Sequence, residues 1–181
     1  FFPDFHTADP ALTEQITVAD LMGMGTGLVS GTFDGLTWGD WDINGLLNGI
    51  GNQAIDGDFR EFYSYNNEVY ALAGYAATVA SDLEPTLENY KSLIQERIFD
   101  PIGMESAIIT DDLSELSDNY SESYEISLLD GELTQMGQPP IGFVAPAGAV
   151  WITINDMAKY VITQMNGGIT ADGTRIVGED T

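Results

Sequence analysis

Phe62-Tyr63-Ser64-Tyr65-Asn66-Asn67-Glu68-Val69-Tyr70-Ala71-Leu72-Ala73-Gly74 is a polar aromatic cluster that runs straight into an apolar, alanine-rich segment. Val69, Leu72, Ala73 and Ala76 recur at helical spacing, so residues 68–80 read as a helix with one apolar face. Small side chains on that face let a neighbouring element approach closely, which predicts a tightly packed, mainly helical unit. Just ahead of the helix, Tyr65 and Asn67 stand two residues apart. From a rigid base they can aim a phenol and a carboxamide into one cleft, which suits proton shuttling by a phenol whose deprotonated form nearby cations favour. A Tyr-x-Asn triplet alone is unspecific, and the alternative is a phenol that only packs.

Other helices follow outward from this stretch. Upstream, Thr17 and Asp20 form a capping pair for a short helix that should stop at Gly23 or Gly25. Residues 43–50 read as a weaker helix diluted by Gly45 and Gly49, and Asp56-Gly57-Asp58 as a turn into the central motif. Residues 1–10 read as an extended lead-in, because Pro3 and Pro10 discourage helix. Residues 29–41 are glycine-rich and carry Trp38 and Trp41, either a substrate-stacking rim or two anchors pinning a loop to the core.

Downstream, Pro85-Thr86 starts a helix carrying Leu87, Tyr90, Ile94 and Ile98 that Asp100-Pro101 should end, with Glu88 and Lys91 placed to pair on its outer face. Residues 110–123 read as a polar, acidic loop containing the glycosylation sequon Asn119-Tyr120-Ser121. Residues 124–129 and 132–136 flank Asp130-Gly131, the expected turn of a small hairpin. Thr153 and Asp156 cap a last helix in which Met157, Tyr160, Val161 and Met165 keep helical spacing before Gly167-Gly168.

Arg60, Phe62, Tyr65-Asn66-Asn67, Tyr70 and Ala73-Gly74 together resemble the second catalytic motif of the serine β-lactamase-like family, which includes class C β-lactamases, D,D-peptidases and related esterases. Three further segments resemble the same family in order: residues 16–28, with Gly23 or Met24 where many members carry histidine or arginine; Arg97-Ile98-Phe99-Asp100-Pro101-Ile102-Gly103-Met104; and Pro146-Ala147-Gly148 followed by Asp156-Met157-Ala158-Lys159 and Asn166-Gly167-Gly168. The resemblance implies an α+β chain: mainly the helical subdomain of a β-lactamase/transpeptidase-like fold with a small β-hairpin. Residues 1–181 would then be the central portion of a single domain, with the flanking sheet strands outside it. Tyr65 would take the catalytic tyrosine role and Asn67 that of the substrate-amide-binding asparagine.

That family's chemistry needs two more clusters, a Ser-x-x-Lys that supplies an activated nucleophile and a Lys/His-x-Gly strand on the opposite wall. No serine in the sequence has lysine three positions later, and neither lysine nor histidine introduces a Thr-Gly or Ser-Gly. Gly-x-Ser-x-Gly does not occur either, so a nucleophile elbow is excluded, and Ser64 reads as a loop hydroxyl. The nucleophile is therefore expected upstream of Phe1 and the third cluster downstream of Thr181, which makes the remainder of the same protein a required partner beside a small-molecule or peptide substrate.

Composition narrows the classes. The 181 residues, 44% of them apolar, are enough for one domain with a sizeable core. The balance of 29 acidic against 5 basic residues, net −24, repels nucleic acid and anionic membranes. The absence of cysteine removes disulfides and thiolate metal sites, and His6, the only histidine, has no partner histidine. The apolar run at residues 141–154 is broken by Pro146 and too short to span a bilayer. No cofactor and no metal are implied. The reading is a serine hydrolase cleaving an ester, amide or peptide, secreted from the cell. The alternatives are a non-catalytic extracellular structural or self-assembling protein that keeps the fold, and a calcium-interacting acidic protein.

Overall fold

The computed structural model describes residues 1–29, 41–137 and 140–178. Its centre is α4 (Asn67–Ala80), flanked in sequence by α1 (Pro10–Thr13), α2 (Val18–Met22) and α3 (Ile43–Gly51) on one side and α5 (Leu87–Ile94) on the other. After α5 the chain makes a π turn (Gln95–Phe99), α6 (Asp100–Ile102), β1 (Ile108–Ile109), β2 (Ser123–Ile126), β3 (Leu133–Met136), a 3₁₀ segment (Gly142–Ala147), β4 (Val150–Trp151) and α7 (Ile154–Met165). Two antiparallel ladders form among the described residues. β1 pairs with β4 (Ile108 opposite Trp151), and β2 with β3 (Ile126 opposite Leu133).

The expected face of α4 is sealed: Val69, Ala71, Leu72, Ala73, Tyr75 and Ala76 are all buried. Its closest neighbour is the 3₁₀ segment rather than another helix, with α2, α3 and α5 around it. Gly74 explains the fit, because a Cβ there would lie 2.5 Å from Cβ of Pro146. One residue on, the Tyr75 ring stacks on Phe143 (4.1 Å, 10°) and its hydroxyl donates to the Phe143 carbonyl at 2.7 Å. Two stretches that looked like separate signatures, Ala73-Gly74 and Pro146-Ala147-Gly148, thus bound a single contact. Burial pushes the Tyr75 hydroxyl above the ordinary phenol range and raises Tyr90, beside it, to about 12.

The Thr17/Asp20 capping box forms and α2 ends at Gly23. Three local expectations need correction. Pro10 starts α1 instead of preventing it: it occupies the first turn, where a missing N–H is harmless, and Asp9 caps the helix. The helix from Leu87 does not stop at Asp100-Pro101; the wider π turn lets the backbone run past the proline ring, and it ends at Gly103 in the left-handed region (φ 75°). The Glu88–Lys91 pair does not form.

The hairpin forms, but its first strand ends at Ile126 rather than at 129: residues 127–132 make a longer connection, closed by the Ser127 amide on the Glu132 carbonyl (2.9 Å) and the Gly131 amide on the Ser127 carbonyl (2.8 Å), with Gly131 at φ 75°, and all eight strand residues are exposed. α7 is capped by Thr153 as expected and held at its N-terminal end by Asp156, which accepts from the Ser106 amide (2.8 Å), the Ser106 hydroxyl (2.5 Å) and Lys159 (2.8 Å). Lys159 also donates to the Gly103 carbonyl. The Lys159 bond, followed by those from Ser106, lowers Asp156 from 3.8 to about 2. The apolar positions of α7 are another matter: Ile154 and Met165 are 81% exposed, and Met157, Tyr160 and Val161 are exposed as well.

Candidate active site

Tyr65 sits between two anchored residues. On its N-terminal side the loop lies along residues 24–27: the Arg60 amide donates to the Gly25 carbonyl (2.8 Å), the Ser64 amide to Met24 (3.1 Å), and the Gly57 amide to Gly27 (3.3 Å). Gly27 has to be glycine, since φ is 75° and a Cβ would fall 2.4 Å from the Gly57 carbonyl oxygen. Arg60, itself at φ 65°, places its guanidinium two-pronged on Asp20, Nε to Oδ1 at 2.7 Å and an Nη to Oδ2 at 3.0 Å. That bond, then those from Thr17, hold the Asp20 carboxyl well below the usual carboxylate range against the opposing effect of its burial. The arginine that marks the motif in sequence is therefore a clamp between the loop and α2.

On the C-terminal side Asn66 is fully buried and caps α4, its Oδ1 accepting from the Val69 amide at 3.2 Å. Its Nδ2 donates to Oε1 of the buried Gln53 at 2.7 Å. Between these anchors Tyr65 is 60% exposed. Asn67 is the first residue of α4 and half-buried. Among the described residues no hydrogen bond engages the Tyr65 hydroxyl or the Asn67 carboxamide. The structure thus leaves Tyr65 exposed just ahead of the helix start, not sealed in the core, with Asn67 half-buried beside it.

An open groove of about 530 Å³ lies beside the loop, lined by Ile55, Asp56, Gly57, Asp58, Glu61 and Phe62. Neither Tyr65 nor Asn67 lines it. Met24, which with Gly23 stands in the stretch where the resemblance led one to expect a histidine or arginine, is buried at φ 52° and its sulfur accepts from the Tyr63 hydroxyl at 3.5 Å. Sequence reading missed Gln53, because a glutamine thirteen residues ahead of its partner carries no local signal. His6 packs over α3 at Gly51 and bonds the Asp4 carbonyl through Nδ1. Trp41 lies on α3 against Gly45 and Gly49, while Trp38 lies outside the described residues. No group of three or more His, Asp or Glu side chains among the described residues is placed to hold a metal ion, and no helix among them is long and apolar enough to cross a membrane.

The sequence profile of the family described as Beta-lactamase matches residues 5–180. The chain belongs to the beta-lactamase family. Solved structures agree with that membership at the level of fold. A D-stereospecific amidohydrolase from Streptomyces sp. superposes with TM-score 0.73 at 16% identity, covering 97% of this chain and 51% of the other. A D-amino acid amidase from Ochrobactrum anthropi SV3, complexed with D-phenylalanine, gives 0.69 at 17%, covering 96% and 48%. The octameric penicillin-binding protein homologue from Pyrococcus abyssi gives 0.67 at 20%, covering 93% and 37%. The beta-lactamase-family chain described here therefore spans about half the length, or less, of these structures. No curated protein matches it.

Proposed function

We propose that the full-length protein is a serine hydrolase that cleaves an ester, amide or peptide through an acyl-enzyme, with Tyr65 moving the proton. In this reading the Tyr65 phenolate takes the proton of a serine hydroxyl supplied by sequence outside residues 1–181. The serine oxygen then attacks the substrate carbonyl carbon, and the tetrahedral intermediate collapses as Tyr65 returns the proton to the departing alcohol or amine. Water repeats the cycle on the acyl-enzyme, with Tyr65 accepting its proton and passing it back to the serine oxygen. The half-buried carboxamide of Asn67 orients the substrate amide. The observation that carries the reading is the exposed, unengaged Tyr65 ring held between Ser64 and Asn66, both anchored to the body of the chain.

The remainder of the same protein is the partner this reading requires, and the apolar stripe of α7, exposed from Ile154 to Met165, is the face on which we place it. The net charge of −24 and the carboxylates of Asp56, Asp58 and Glu61 along the neighbouring groove favour neutral or cationic substrates over anionic ones. Hydrolysis of paired chromogenic esters and amides by the full-length protein tests the proposal. Tyr65→Phe is expected to lower kcat by at least about a hundred-fold, the ordinary worth of a positioned acid–base group, while Asn67→Ala raises KM for amides more than for simple esters. Turnover by Tyr65→Phe at the wild-type rate would sink it.

A further inference from the structure

We propose that Gln53 is a positioning residue for Tyr65 and Asn67, acting through the Asn66 cap; the inference rests on the catalytic reading above. The two carboxamides can be oriented without ambiguity. Asn66 Oδ1 is taken by the Val69 amide (3.2 Å), so its Nδ2 must face Gln53, and Gln53 must answer with Oε1 (2.7 Å). Gln53 Nε2 is then left buried, with no protein partner among the described residues.

Such a donor is held at a cost in stability that an aliphatic side chain of similar size would not carry. What the glutamine supplies instead is a fixed point. Its backbone amide closes the end of α3 on the Ile50 carbonyl, the next residue's carbonyl accepts from the Val29 amide (2.9 Å), and Ile55 bridges to Leu28. The Gln53 side chain carries this rigidity across to Asn66, the residue between Tyr65 and Asn67. The Arg60–Asp20 clamp fixes the loop before Tyr65, and the Gln53–Asn66 bond fixes it after. Without the second, the first turn of α4 is free to shift relative to α3, and the phenol moves with it.

The experiment measures labelling of the full-length protein by a fluorophosphonate, separating kinact from KI, alongside thermal midpoints for Gln53→Leu, Asn66→Ser and the double variant. Serine caps a helix about as well as asparagine but cannot reach Gln53. Each single variant leaves a buried amide group without its partner and is expected to lower both the midpoint and kinact. The double variant leaves no amide stranded, so its midpoint returns towards wild type while kinact stays about ten-fold down with KI unchanged, as a misplaced group should behave. If Gln53→Leu fails to fold, the double variant still decides the question.

A double variant that recovers wild-type kinact together with stability would show Gln53 to be structural only and overturn the proposal. Single variants that keep wild-type kinact would do the same. If instead the wild type takes no label, or Tyr65→Phe labels at the wild-type rate, the catalytic reading itself fails and takes this one with it.

Discussion

α4 and α7 are both capped amphipathic helices, of 14 and 12 residues, yet one is sealed and the other open. On α4 the apolar face meets α2, α3, α5 and the 3₁₀ segment, down to a glycine that admits a proline ring. On α7 only Asp156 and Thr163 are buried, and the apolar residues face outward. Periodicity reports that a helix has an apolar stripe, and it is silent on what covers the stripe. The sealed helix is the one whose start carries Tyr65 and Asn67, so the candidate site rests on the part of the chain that completes its own packing.

Truncation breaks or sharpens the comparison most strongly. Leu72→Ala, in the sealed face, should cost about 3 kcal/mol in denaturant unfolding of the 181-residue chain. Val161→Ala on α7 should cost less than about 0.5 kcal/mol in the same chain. In the full-length protein the Val161→Ala cost should rise to about 1 kcal/mol or more if the rest of the fold covers that stripe. Equal costs for both helices in the short chain would erase the distinction.

Gly74→Ala probes the tightest point of the sealed face. The added methyl meets Pro146, and a loss of about 1–3 kcal/mol is expected from overpacking. A neutral result would mean that the 3₁₀ segment yields easily to a methyl group at this contact. Arg60→Gln should lower the denaturant midpoint, by leaving the buried Asp20 carboxylate without its guanidinium, with hydrogen exchange rising first in residues 57–65.

A pH-dependent effect belongs to the base of α7. Asp156 has a folded pKa of about 2 against a usual value of 3.8, so its contribution is present above the usual value and is lost as pH falls through about 2. The stability difference between wild type and Asp156→Asn should therefore be constant above about pH 5 and shrink on acidification. A difference that stays constant down to pH 2 would remove the Lys159–Asp156 bond from the account.

Much of this was legible in sequence where the determinants are local. The Thr17/Asp20 capping box and the α4 face each depend on residues a few positions apart, and both are found; the hairpin forms too, though its connection at residues 127–132 is longer than Asp130-Gly131 alone. Pro10 and Pro101 misled because proline's effect depends on its place in the helix, harmless in a first turn and absorbed by a π turn at Gln95–Phe99. The β1–β4 ladder is two residues long and closes over some forty residues, beyond any local pattern. At the site, Tyr65 and Asn67 were marked by their neighbours, whereas Gln53 and the clamp on Asp20 became visible only when α2, α3 and the loop were brought together.

The most direct test of the account is intact-mass analysis of the full-length protein after incubation with a fluorophosphonate, wild type against Tyr65→Phe. The account predicts a single adduct on one serine outside residues 1–181, formed at least about a hundred-fold more slowly without the phenol. No adduct on the wild type, or one that forms equally fast when Tyr65 is phenylalanine, would contradict it.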